Sequence, residues 1–161
     1  MKTIYVDNLL AQTMSSASPQ MAQTALGRAN TNLEAIAGEC IAHIDDLLRQ
    51  FHMHPSSDPD GRLGQMRENY QLARRMIGVA HAAGLTALDM AAKSLCKTVD
   101  SLLAANDCNW EPVRLHLQTM QLLRHPDRVG DQQGTLIAAL GDLRKRFEAA
   151  PEAESKPPPI A

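Results

Sequence analysis

The side chains of this chain that could carry chemistry are scattered histidines, three cysteines and a pair of adjacent arginines, and spacing decides what each could do. His52 and His54, followed by Asp58 and Asp60, place potential metal ligands in one segment, HMHPSSDPDGR. That spacing matches no known site type, so no metal is expected. His116 falls within an apolar helical pattern, where a hydrogen-bonded core histidine is the expected reading, and His125 sits in the turn RHPDR, facing solvent. Cys40, Cys96 and Cys108 are odd in number, widely spaced and lack a CxxC pair. Neither a disulfide framework nor a zinc site is indicated, and Cys40 and Cys96 read as small core residues. The sequence holds no Ser-His-Asp order, phosphate-cradling Gly-rich loop or nucleotide motif, so no enzyme class and no cofactor is supported. What remains is RRMIGVAHAAGL, from Arg74 to Leu85. It sets two arginines before a glycine in a helical pattern, where Gly costs about 1 kcal/mol against Ala, and follows them with His81 among alanines.

The elements that must position this stretch are helical. Ser18 and Pro19 are a helix start signal. From there Leu26, Ala29, Leu33, Ile36, Cys40, Ile44, Leu47 and Phe51 recur at three-four spacing, which predicts one long helix with one buried stripe. That helix has room for a kink near Thr31, and two helices meeting there is the alternative, because TNLE is itself a capping-box pattern. Residues 52–62 read as loop. A second helix is expected from about Met66 to Ala83, with Tyr70, Ala73, Ile77 and Ala80 inward and Gly84 closing it. Thr86 and Asp89 form a capping box for a third helix carrying Leu88, Ala92, Leu95, Val99 and Leu102, which stops near AAND. Asn109 and Pro112 open a fourth with Val113, Leu117, Met120 and Leu123, ending before Pro126. A fifth starts near Thr135 with Leu136, Leu140, Leu143 and Phe147 on one face.

Amphipathic helices joined by short loops predict an all-α antiparallel bundle of four or five helices. It occupies residues 19–149, after an N-terminal arm (1–18) and before a C-terminal tail (150–161) without apolar mass, expected to be disordered. One domain fits 161 residues. The formal charge of -2 argues against nucleic acid or an anionic membrane as partner. Two Phe, two Tyr and one Trp leave few stacking platforms for bases. With no signal-like start and no 18-residue apolar run, the chain is expected to be cytoplasmic.

The span from Arg74 to Cys96, RRMIGVAHAAGLTALDMAAKSLC, resembles the active helix and following helix of histidine phosphotransfer (HPt) domains, especially a divergent alphaproteobacterial group. The family pattern is a phosphorylatable His, a Lys or Arg three residues on, a Gly at four and a Gly-Leu pair at ten and eleven. Gly78, Gly84 and Leu85 stand in the glycine and apolar places, whereas the His place holds Arg74 and the Lys place Ile77. The likeness extends more loosely through LEAIAGECIAHIDDLL and NWEPVRLHLQTMQLL, over residues 20 to 125. The opening helix and the SLC and RLHLQ segments are similar to the CheE type of chemotaxis accessory protein. The resemblance implies an HPt-like bundle whose partner is the receiver domain of a response regulator.

In that family a neutral imidazole attacks the receiver's aspartyl phosphate, a neighbouring Gly permits close approach and a cation steadies the phosphoryl oxygens. Arginine stays protonated and is no nucleophile, so no catalytic residue is expected at position 74. The helical period puts Gln71, Arg74, Arg75, Gly78, His81 and Ala82 on a face opposite Tyr70, Ile77 and Ala80. That cationic face is the expected partner-binding site, suited to the carboxylates or phosphoryl group of a receiver. Three readings stand beside it. The glycine and arginines could be ordinary packing and solvated surface. His81 could be a displaced phosphoacceptor. The chain could self-associate, as a homodimer, through the arm or the first helix.

Overall fold

The structure, a computed structural model, describes residues 19–148, so the expectations for the arm and the tail lie outside the described residues. Its order is α1 (Pro19–Gln50), α2 (Pro59–Met76), α3 (Val79–Ala82), α4 (Thr86–Ala104), α5 (Glu111–Leu123), α6 (Pro126–Val129), a 3-10 turn (Gly130–Gln132) and α7 (Gln133–Glu148). The fold is all-α, with no strand among the described residues.

Helix α4 is the axis of the core, packing against α2, α3, α5 and α7. Its expected stripe is inward throughout: Leu88, Ala92, Leu95 and Val99 are fully buried and Leu102 nearly so. The α5 stripe of Val113, Leu117, Met120 and Leu123 meets it from one side. Leu140 of α7 is buried and Leu136 and Leu143 are half-buried, whereas the side chain of Phe147 lies outside the described residues. Cys96 is a core residue as expected; Cys40 is only half-buried.

Three expectations are corrected, while the first helix is one long helix as expected: the Thr31 hydroxyl of α1 bonds back to the Gly27 carbonyl at 3.1 Å instead of capping a new helix. Its stripe is buried only at the C-terminal end, at Ile44 and Leu47, with Phe51 just beyond; Leu26, Leu33 and Ile36 face solvent. Helix α2 begins at Pro59, inside the segment read as loop, because Asp58 caps it by accepting the Gly61 N–H at 2.7 Å. The short α6 is an addition that Pro126, a favoured first helical residue, makes intelligible.

Three polar contacts tie these helices where apolar packing alone would let them slide. Asn69 is fully buried on α2 and grips the α1–α2 connection at both ends of one residue, accepting the His52 N–H at 2.9 Å and donating to its carbonyl at 3.1 Å. Arg124, at the end of α5, forms a fork with Asp45 of α1, Nε to Oδ1 at 2.6 Å and Nη2 to Oδ2 at 2.9 Å. The Arg124 hydrogen bonds hold the Asp45 carboxyl below the usual carboxylate range.

The third contact is His116, which has no exposed surface. Its Nδ1 lies 2.7 Å from the Pro112 carbonyl. A carbonyl only accepts, so Nδ1 carries the proton and Nε2 accepts from the Ser94 hydroxyl at 3.0 Å. The core histidine expected from the pattern is therefore a clamp between α4 and α5. Burial pushes its pKa below the ordinary value of 6.5, the Pro112 hydrogen bond opposing only in part. The unfolded chain therefore takes up a proton that the folded chain refuses. Stability should be level above pH 6.5 and fall as pH drops below it, by at most about 1.4 kcal/mol per pH unit. Urea midpoints between pH 7.5 and 5.5 should show this slope, and His116→Gln should flatten it.

Candidate functional site

The stretch that held the candidate site is not one helix. Helix α2 ends where Ile77 turns to ψ 132° and Gly78 takes φ +85°, ψ −43°. A side chain at such a φ is strained, so glycine is required here by the backbone. The expected helix from Met66 to Ala83 is broken for an electrostatic reason. In a continuous helix the Gly78 N–H would bond to Arg74; instead it donates to Asp89 Oδ1 at 2.8 Å. A single turn, α3, then carries His81 and closes at Gly84, φ +78°, as expected. Leu85 N–H bonds the Ala80 carbonyl and Gly84 N–H the His81 carbonyl, which is the Schellman pattern.

Asp89 sits in the first turn of α4 with its side chain only 3% exposed. The capping box expected from Thr86 and Asp89 does not form, since α4 begins after Leu85 without a side-chain cap. The carboxylate is occupied by Gly78 and by Lys93, 2.6 Å away. Burial alone would raise its pKa; the Gly78 N–H and Lys93 outweigh it and hold Asp89 ionised below the usual range.

Gln71, Arg74, Arg75, Gly78, His81 and Ala82 are all exposed. A Cβ added at Gly78 would meet nothing within 4 Å, so this glycine faces outward and is not packed between helices. The break nevertheless divides the group. Gln71 and Arg75 line an open cleft of about 490 Å³ between the end of α1 and α2, together with Gln50, His52, Arg67 and Glu68. In that cleft His52 Nε2 lies 2.5 Å from Glu68 Oε2, while Arg75 makes no ion pair with another described residue. Arg74 turns the other way, its guanidinium 5.8 Å above the Tyr70 ring. There its charge partly offsets the burial that pushes the Cys96 thiol up to about 11. His81, beyond the break, is within electrostatic reach of Asp89.

Sequence reasoning missed Arg67 and His52 as neighbours of Arg75, and Asp89 as the anchor of Gly78. The first pair belongs to a cleft between two helices and leaves no periodic trace. The second has one trace, the glycine itself. Chemically the arrangement offers cations and amide donors to an anionic partner, with no nucleophile at position 74. Among the described residues no group of three or more His, Cys, Asp or Glu is placed to hold a metal ion. Likewise no described helix is long and apolar enough to cross a membrane. Comparison with protein-family models, with curated proteins and with solved structures finds no match.

The Gly78–Asp89 bond makes the two positions interdependent. Asp89→Ala should cost about 1–3 kcal/mol by removing the charged acceptor of the part-buried Gly78 N–H. Gly78→Ala should cost a similar amount through backbone strain. The double variant should lose clearly less than the sum, because both changes break one link. Urea unfolding of the four proteins measures the difference; full additivity would mean that the bond does not couple them.

Proposed function

We propose that this chain is a non-catalytic, HPt-like protein-binding module of two-component or chemotaxis signalling. It docks the receiver domain of a response regulator through the surface from Gln71 to Ala82. The observation that carries this reading is the outward, unobstructed Gly78 flanked by exposed cations. A receiver presents an acidic phosphoacceptor pocket, and guanidinium groups match carboxylate and phosphoryl oxygens in fork geometry. The all-α fold with two successive buried helical stripes at α4 and α5 is compatible with an HPt-like bundle. The CheE-like segments point to chemotaxis and to the cytoplasm as its setting.

The division of the face sharpens the proposal. Arg75 and Gln71, in the cleft that Arg67 extends further down α2, offer one cationic wall, and Arg74 a second on the Tyr70 side. Two arginines on opposite flanks of a flat centre would straddle the rim of an acidic pocket. Binding then depends on both and not on a single bidentate pair.

A purified chemotaxis receiver domain, titrated with and without an aspartyl-phosphate mimic, tests this by calorimetry. Arg75→Glu should weaken binding at least tenfold, and Arg74→Glu should do the same with the fold intact. Equal affinity for all three chains would overturn the docking face. Incubation with phosphorylated receiver adds a second outcome: an acid-labile phosphate on the chain, absent in His81→Ala, would make it an active phosphotransfer protein instead.

A further inference from the structure

Several surface cations of this fold are answered by a carboxylate on their own helix. Arg49 pairs with Asp46, Arg114 with Glu111 and Lys145 with Asp142, each about one helical turn away. Arg67 and Arg75 of α2 are built without such an answer. The positions three and four residues to either side of Arg67 hold Leu63, Gly64, Tyr70 and Gln71, and those around Arg75 hold Gln71, Leu72, Gly78 and Val79. Among the described residues neither arginine forms an ion pair. Solvated arginines are ordinary, but these two line one cleft.

That cleft, about 490 Å³, lies between the end of α1 and α2. At the helical rise the eight-residue separation sets the two arginines about 12 Å apart along α2. Gln71 stands midway between them, and the buried Leu72 adds an apolar lining. Glu68, the one carboxylate in the lining, is turned onto His52 Nε2 at 2.5 Å. On the opposite wall Gln50 donates its amide to the Asp46 carbonyl at 3.0 Å, which leaves its amide oxygen to accept.

Charge, spacing and amides together select an occupant. Two guanidiniums about 12 Å apart complement two carboxylates at a similar separation. An extended peptide rises about 3.3 Å per residue and turns alternate side chains to one side, so acidic residues four apart lie about 13 Å from each other on one face. Its backbone carries unpaired N–H and C=O groups that the amides of Gln50 and Gln71 complement. A helical partner has satisfied those groups internally, and a single phosphate reaches only one of the arginines.

We infer that the cleft between the end of α1 and α2 binds an extended acidic segment of a partner protein. Carboxylates four residues apart engage Arg67 and Arg75, and the backbone between them meets Gln71 and Gln50. The site goes beyond receiver docking: it shares Gln71 and Arg75 with that surface, but it uses Arg67 and not Arg74.

A Gly-Glu-Ala-Ser-Ala-Glu-Gly peptide, blocked at both ends, serves as the probe. Titrated into the isotope-labelled full chain at low ionic strength, it should move the backbone amide signals of His52, Gln71 and Arg75 saturably. Arg67→Gln and Arg75→Gln should each weaken binding at least threefold, the loss of one exposed ion pair, with the rest of the spectrum intact. Arg74→Gln should leave it unchanged. A peptide of the same composition with its glutamates adjacent should bind at least threefold more weakly. Absence of saturable shifts, equal affinity in Arg67→Gln, or equal affinity for the two peptides overturns the inference. Inorganic phosphate that displaces the peptide at equal concentration makes the cleft a general anion site and overturns the peptide assignment. A peptide that fails while the receiver still binds removes this inference alone; a peptide that binds while the receiver fails removes only the docking reading.

Discussion

A carboxylate buried at the start of α4 sets the geometry of the surface above it. Asp89 is shielded from water but ionised, and it stays so because the Gly78 N–H and the Lys93 ammonium replace the lost solvation. A buried charge without such partners would be strongly unfavourable, so the segment that supplies the N–H is held where the charge needs it. The break between α2 and α3, the outward position of Gly78 and the placement of His81 beyond it all follow from this requirement. Because α3 also packs on α1, the same contact helps to set where α1 leaves the core.

The remaining polar contacts serve a related end with different chemistry. Asn69 fixes a loop by bonding one residue's backbone at both ends, Arg124 and Asp45 lock two helix ends by a charged fork, and His116 clamps two helices in its neutral form. A core built from Leu, Ala and Met can be filled in several similar ways. Directional bonds at its edges select one of them, as buried polar groups do when every partner is satisfied.

The stripes at α4 and α5 could be read from the sequence because each is buried by helices on several sides, so periodicity and burial coincide. The α1 stripe shows the limit of that reading. Its spacing is as regular as the others, and Ile44 and Leu47 are buried, but Leu26, Leu33 and Ile36 are not. A three-four repeat says that a face seeks cover and is silent on where the cover comes from. Arg124 and Asp45 lie 79 residues apart, and Asn69 meets His52 across 17, so neither contact leaves a local pattern. The candidate site was partly legible. All six residues face outward, yet the helix break depends on a carboxylate eleven residues downstream, which propensity cannot weigh.

Trp110 is the single tryptophan of the chain, seated at the start of α5, 6% exposed, with its indole N–H unpartnered among the described residues. An indole that neither meets water nor donates a hydrogen bond emits at short wavelength, and unfolding moves the emission to the red. The chain thus holds one tryptophan reporter, and it sits at the α4–α5 junction as part of the hydrophobic core. Fluorescence will follow the loss of that core, while fraying of the first turns of α1 goes unseen by it. Agreement between fluorescence and far-ultraviolet circular dichroism will therefore measure whether the projecting helix melts with the core or before it.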